Sequence, residues 1–365
     1  MDRLPVAIAG AGLAGRLLAW RLLRAGVPVR LFDSRARSDR DHAAGVAAAM
    51  LAPYAELVVS DAALFALGED SLALWPRWLA ELRDETGLDV YFRHEGSLVV
   101  AHAPDFPGLA HYADLIRYRL PQARQDEVQS LDAQGIAALE PEFAGRFARG
   151  LWLPQEGQLD NDQLLGALEA AILEGMARVG GEWLERCDVD ALTAHGVRAA
   201  RGDEYAADIV VDCRGVGADW PGVRGVRGEV LTVSCPAITL RRPVRLIHPR
   251  YMLYIVPRSG GRYIIGATEL ESQDTGPATV RSVLELASAL YSVHPAFGEA
   301  RITRIATGLR PATDDHQPVW AAREGVWHLN GLYRHGFLVA PAMVARAEAT
   351  LLAAARQVQP TEALQ

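Results

Sequence analysis

Val6-Ala7-Ile8-Ala9-Gly10-Ala11-Gly12-Leu13-Ala14-Gly15, followed 18 residues later by Asp33, is the stretch that decides the fold. Val6 to Ala9 is a short apolar run with a β-branched bias and reads as a buried strand. From Arg16 to Ala25 the apolar residues recur at helical spacing, and Gly26 is a natural helix stop. Val27 to Phe32 reads as a second strand, ending in Asp33. Between strand and helix the three glycines have separate tasks. Gly10 permits a tight turn, Gly12 lets backbone approach a pyrophosphate, and Gly15 lets the helix pack against the strand. The helix N-terminus then faces the phosphates, with Leu13 and Ala14 in its first turn, and Asp33 is placed to accept hydrogen bonds from an adenosine ribose. The pattern predicts a dinucleotide site over a merely structural glycine-rich turn. The motif alone does not choose between FAD and NAD.

Beyond Asp33 and Ser34, a polar loop runs to His42. Ala43-Ala44-Gly45-Val46-Ala47-Ala48-Ala49-Met50-Leu51-Ala52-Pro53 then carries almost no polar side chain. Small residues suit backbone pressed against a flat ligand; they equally suit a buried, alanine-rich helix start. Further on, the periodicity predicts helices over 61–90, 131–139, 162–179, 280–291 and from Phe337 to about 356. It predicts strands over 91–101, 209–211, 228–233, 252–256, 263–266 and 326–329. Helix-rich and strand-rich stretches alternate without a Pro/Gly/Ser linker. One α/β unit with an interleaved second sheet fits this pattern.

The 365 residues exceed one typical domain, and at 50% hydrophobic residues the chain can bury a sizeable core. A net charge of −8 argues against nucleic acid or an anionic membrane as partner. All 37 Lys and Arg residues are Arg. That excludes a lysine Schiff base and a Walker-type phosphate lysine. Cys187, Cys213 and Cys235 form no CxxC pair, and the ten His show no metal-ligand spacing, so neither a disulfide framework nor a metal site is expected. The cysteine usage points to the cytoplasm. No uncharged apolar run reaches 18 residues, so no membrane span is expected.

Six separated motifs resemble one family. They are Gly10 to Gly15 with Asp33-Ser34; Ala48-Ala49-Met50-Leu51-Ala52-Pro53-Tyr54-Ala55-Glu56; Arg227-Gly228-Glu229-Val230-Leu231; Tyr254-Ile255-Val256-Pro257-Arg258 followed by Ile265-Gly266-Ala267-Thr268; Gly308-Leu309-Arg310-Pro311; and Tyr333-Arg334-His335-Gly336-Phe337-Leu338-Val339-Ala340-Pro341. Together the chain resembles the FAD-dependent glycine oxidases associated with thiamine biosynthesis, in the D-amino-acid oxidase superfamily. The resemblance implies a mixed α/β (α+β) fold. A Rossmann-like FAD domain would be built from about residues 1–60, 150–220 and 300–365. An interleaved antiparallel-sheet substrate domain would come from 61–149 and 221–299.

The resemblance also implies the site. Non-covalent FAD would contact Gly10, Gly12, Leu13, Ala14, Gly15, Asp33, Ser34, Ala43, Ala44, Ala48, Ala49, Met50 and Val189. At the other end it would contact Leu332, Tyr333, Arg334, His335, Gly336, Phe337 and Leu338. The chain has no Cys after Cys235, which excludes a cysteine-linked flavin near the C-terminus. The N–H groups opening the last helix would stabilise negative charge on the reduced ring. Arg310 would clamp a substrate carboxylate bidentately, with Tyr254 donating to the same group. Arg334 would face either substrate or flavin. The partners implied are a small amino acid or amine and dioxygen, with a homo-oligomer left open.

Two departures from the family bear on substrate identity. Glu269 stands where relatives often carry an apolar residue; it would repel acids, attract an amine or, as expected here, face solvent. Thr313-Asp314-Asp315-His316 replaces a more glycine- and lysine-rich loop. A D-amino-acid or N-methyl-amine oxidase or dehydrogenase stays an alternative, as does an NAD-dependent dehydrogenase.

Overall fold

The computed structural model describes residues 4–248 and 253–357. Met252 and the tail after Gln357, for which a strand start and a frayed end are expected, lie outside them. Val6–Ala9 is buried at all four residues and runs parallel to Val29–Phe32 on one side and Val210–Asp212 on the other. Gly181–Leu184 and Val326–Asn330 extend this sheet in parallel, and Val319–Arg323 closes one edge antiparallel. Parallel strands need covered faces. Leu13–Arg24, Ala62–Thr86, Asn161–Val179 and Gly336–Gln357 cover the face carrying Val6, Ile8, Val29, Leu31 and Val211. The opposite face, with Ala7, Phe32 and Val210, packs against the small antiparallel sheet of Val189–Thr193, Gly196–Ala199 and Glu204–Ala206.

A second sheet of eight strands runs in the order Arg301–Ala312, Arg224–Ser234, Arg262–Gly266, Leu253–Arg258, Val244–Ile247, Ser97–Ala101, Arg149–Leu153, Gln129–Asp132. All its pairings are antiparallel except Val244–Ile247 with Ser97–Ala101. Its core includes Leu98, Leu231, Ile255 and Ile265, with Leu286 and Leu290 from the helix Val280–Val293. Arg301–Ala312 has no strand in the sequence reading. It is an edge strand without clean alternation of burial, so the period-2 signal is missing.

Several expected boundaries move, for local reasons. The helix expected over 131–139 divides into a strand, Gln129–Asp132, and a helix, Ala133–Leu139. The Asp132 carboxylate accepts the Gly135 N–H at 2.8 Å and caps the helix there. The helix expected over 61–90 spans Ala62–Thr86. Asp61 caps its start, and Gly87, at φ +70°, ends it. Residues 91–101 form two short strands, Phe92–Arg93 and Ser97–Ala101.

The proposed division between domains shifts accordingly. Helix Ala62–Thr86 drives Leu64, Leu67, Leu72, Trp75 and Trp78 into the core of the first sheet. Strands Arg149–Leu153 and Arg301–Ala312 belong to the eight-stranded sheet. Among the described residues one helical stretch, Tyr333–Ala355, is long and apolar enough to cross a membrane. Here it is a core helix: Phe337, Leu338, Val344 and Ala347 are buried, and the Trp75 indole N–H donates to the Phe337 carbonyl at 3.0 Å.

The small-residue stretch is tied to this core by Asn161, whose side-chain amide donates to the carbonyls of Ala44 at 3.0 Å and Gly45 at 3.1 Å. Asn161→Ala strips two buried acceptors of their donor. The expected cost is about 1–3 kcal/mol, read as a lower denaturant midpoint with an unchanged circular-dichroism spectrum. An unchanged midpoint would contradict this anchoring.

Candidate active site

Ligands of open α/β sheets bind outside the carboxyl ends of the parallel strands. Here that edge faces the eight-stranded sheet across a cavity of about 1090 Å³. This is at the upper end of the roughly 300–1,000 Å³ usual for ligand pockets. Small residues let the backbone close around one end. A Cβ on Gly15 would lie 1.9 Å from the Gly10 carbonyl oxygen, and one on Gly10, at φ +99°, would lie 2.6 Å from Cys213 backbone. A Cβ on Gly12 would meet nothing within 4 Å. The helix Leu13–Arg24 has no side-chain cap and no acid in its first turn. Its leading N–H groups are therefore available to an anion, with Leu13 and Ala14 lining the cavity. Asp33 fixes the turn, accepting from Ala11 N–H at 2.7 Å and Arg35 N–H at 2.8 Å, and also lines the cavity. Behind the loop, buried Arg16 donates to the carbonyls of Ala11, Leu165 and Arg37.

Ala43, Ala44, Ala48, Ala49 and Met50 form one wall. The helix-start reading holds in part: Ala43–Val46 is a short helix, while Ala48 and Ala49 are irregular wall, Ala49 at φ +48° and the Ala48 carbonyl held by buried Arg258 at 2.7 Å. Leu332, Tyr333, Arg334, His335, Gly336, Phe337 and Leu338 form another wall, and the space in front of Gly336 is open. A glycine cradle, an uncapped helix start, an acid beside it and a long wall of small residues fit a dinucleotide with a flat ring system.

Three expected contacts do not line this cavity: Gly15, Ser34 and Val189. Gly15 acts behind the loop, where its lack of Cβ admits Gly10. Ser34 is exposed. Val189 opens the first strand of the small antiparallel sheet, and its carbonyl accepts from Arg214, which does line the cavity. The sequence reading missed His42, Glu56, Arg245 and the turn from Cys213 to Val216. That turn had a usable signal, since it follows the carboxyl end of the strand Val210–Asp212. Glu56 closes one of the quoted motifs, but nothing local links it to Arg245, 189 residues later: only folding brings the two together. The His42 Nε2 is buried without a partner in the cavity wall. Burial, with Arg16 acting in the same direction, pushes its pKa down to about 4.

Arg310, Tyr254 and Arg334 meet at the other end. The Arg310 guanidinium donates only to carbonyls, those of Thr268 at 3.2 Å and Arg227 at 3.4 Å. Among the described residues no carboxylate lies within ion-pair distance of it. It rests against Gly228, where a Cβ would come 2.3 Å from its Nη2. Tyr254 lies in the same way across Gly266. Burial raises the Tyr254 pKa, against Arg310, Arg334 and Arg245.

Arg334 is flanked by two carboxylates, with Nε 3.0 Å from Glu56 and Nη1 2.7 Å from Glu269. Glu56 also meets Arg245 at 3.1 Å. Burial would raise the Glu56 pKa, but Arg334, His335 and Arg245 outweigh it and hold it at about 2. Glu269 does not simply face solvent: Arg334 and the Tyr333 hydroxyl, 2.5 Å away, both donate to it. The Thr313 to His316 loop reaches the site through His316, which stacks on the Tyr333 ring at 4.7 Å.

The sequence pattern of the DAO family, described as FAD dependent oxidoreductase, matches residues 5–348. The chain is 40% identical to a putative thiamine biosynthesis oxidoreductase ThiO of Rhizobium etli, over 95% of this chain and 96% of that one. It is 28% identical to a glycine oxidase of Geobacillus kaustophilus, over 93% and 90% of the two chains. The crystal structure of glycine oxidase from Geobacillus kaustophilus superposes with a TM-score of 0.81 at 26% identity, covering 99% of this chain and 96% of that one. These matches decide the choice the glycine motif left open in favour of FAD over NAD.

Gly228→Ala is expected to push the Arg310 guanidinium aside and to weaken carboxylate binding at least about tenfold, with bound FAD retained. Unchanged binding would show that the guanidinium does not need this flat floor. His335 supplies a pH test. Burial holds its pKa at about 4, against Glu56, whereas unfolded His titrates near 6.5. Between those values the unfolded chain binds the extra proton, so stability falls as pH drops through this window. His335→Asn should lose less stability than the parent between pH 7 and 5, by about 1–2 kcal/mol. Parallel curves would refute this.

Proposed function

This chain belongs to the FAD dependent oxidoreductases of the DAO family, and on that premise we propose that it is a glycine oxidase-like amine oxidase. Glycine and dioxygen would give the imine and hydrogen peroxide. The imine would enter thiazole synthesis for thiamine or hydrolyse to glyoxylate and ammonia. Bound FAD supplies the two-electron acceptor that takes hydride from the amine carbon and is reoxidised by dioxygen.

The observation that carries the reading is Arg310, a half-buried cavity guanidinium with no carboxylate within ion-pair distance among the described residues. Its fork matches an amino-acid carboxylate. Tyr254, whose pKa burial keeps raised, remains a hydroxyl donor at neutral pH and supplies a further bond to that group. With the carboxylate fixed at two points, the amine carbon is held in one orientation. Arg334 acts less directly, because Glu56 and Glu269 occupy its donors. Gly336 and Phe337 line the cavity near the start of the last helix, whose positive end favours negative charge there. No side chain is asked to remove a carbon-bound proton, so the lack of a catalytic dyad is consistent with the chemistry. The three free cysteines are consistent with a reducing, cytoplasmic setting.

An anaerobic titration with glycine tests this reading. The flavin absorbance should bleach, then recover on admission of air with release of peroxide. Flavin that stays oxidised at high glycine would sink the substrate assignment.

A further inference from the structure

The reacting end of the cavity gathers three guanidiniums, from Arg245, Arg310 and Arg334. Arg245 is neutralised by Glu56, which also touches Arg334. Glu269 meets the remaining face of Arg334, 2.7 Å from Nη1, and the Tyr333 hydroxyl holds the same carboxylate from a second side. His335, its ring nearly out of water beside Glu56, adds no charge at neutral pH. Beside the cavity, buried Arg227 is occupied by Glu229 and Asp274, and Glu285 in the cavity lining adds a further negative charge. Arg310 is left, among the described residues at this end, as the one cation without an anion.

We propose that Glu269 sets the charge of the substrate: by occupying Arg334, it makes the site accept amines with one carboxylate and reject those with two. The inference rests on the amine-oxidase reading above. A second carboxylate reaching past Arg310 would find Arg334 taken and the Glu269 carboxylate beside it. Like charges brought together in a binding site are unfavourable, so the rejection is built from repulsion as well as from a missing cation. The Glu269 side chain is 48% exposed, while that of Arg334 is 20% exposed. Removing the Glu269 charge therefore costs the fold little and uncovers a cation already inside the cavity.

The test uses holoprotein of the parent, Glu269→Gln and Glu269→Gln/Arg334→Gln, each checked for flavin content. Two ratios are measured. One is the rate of flavin bleaching with iminodiacetate against that with glycine. The other is the affinity for malonate against that for acetate, read from the flavin spectrum. Glu269→Gln should raise both ratios in favour of the dicarboxylate by about tenfold or more, and the second substitution should remove that gain. An unchanged ratio in Glu269→Gln overturns the proposal, as does a gain that survives loss of Arg334. If glycine bleaches none of the proteins, the amine-oxidase reading falls. The malonate-to-acetate ratio then still decides whether Glu269 sets the charge rule.

Discussion

A guanidinium partly withdrawn from water is costly to leave without an anion, and among the described residues none lies within ion-pair distance of Arg310. Its neighbours give it carbonyl oxygens only. Arg245, Arg334, Arg227 and Arg214, which share its surroundings or the same cavity system, all have carboxylates. Much of the second sheet serves this arrangement. Gly228 and Gly308 pair across the two long strands, and the flat floor at Gly228 leaves room for the Arg310 side chain. Gly266 does the same for Tyr254. Among the described residues the site is thus one carboxylate short, the place that the proposed amino-acid substrate would fill.

The other half of the cavity obeys a different constraint, close approach of backbone. A Cβ at Gly15 or Gly10 would collide with neighbouring main chain, so the strand–turn–helix can hold its shape only with those glycines. The same closeness brings helix N–H groups and Asp33 to the cavity edge. The last helix approaches from the opposite side through Gly336. The two ends of the cavity share walls that the eight-stranded sheet and the parallel sheet provide jointly, which accounts for the interleaved chain order: each sheet takes strands from distant parts of the sequence.

The features legible in the sequence were those with a local signature. The parallel strands Val6–Ala9 and Val29–Phe32, the glycine turn and Asp33 could be read because strand, helix and acid follow within a few dozen residues. Arg310, Tyr254 and most of the cavity wall came from resemblance, and the fold does bring them together. What stayed hidden depended on distant pairing. Arg301–Ala312 is a strand only because Arg224–Ser234 lies beside it. Helix Ala62–Thr86 joined the first core although its position in the chain suggested the second. Glu269 looked solvent-facing in isolation; its role appears only when Arg334, some 65 residues later, arrives beside it. Val189, which family likeness placed at the ligand, does not line the cavity; its carbonyl accepts from Arg214, which does.

The most direct test of the unpaired guanidinium needs no turnover. Acetate, a carboxylate that cannot be oxidised at an amine carbon, is titrated into the holoprotein and into Arg310→Ala, with the flavin absorbance as readout. The account predicts saturable binding to the parent and a loss of at least about a hundredfold in the variant, in line with about 3 kcal/mol for a charge-assisted bidentate pair, with flavin content unchanged. Equal acetate affinity in the two proteins would contradict it.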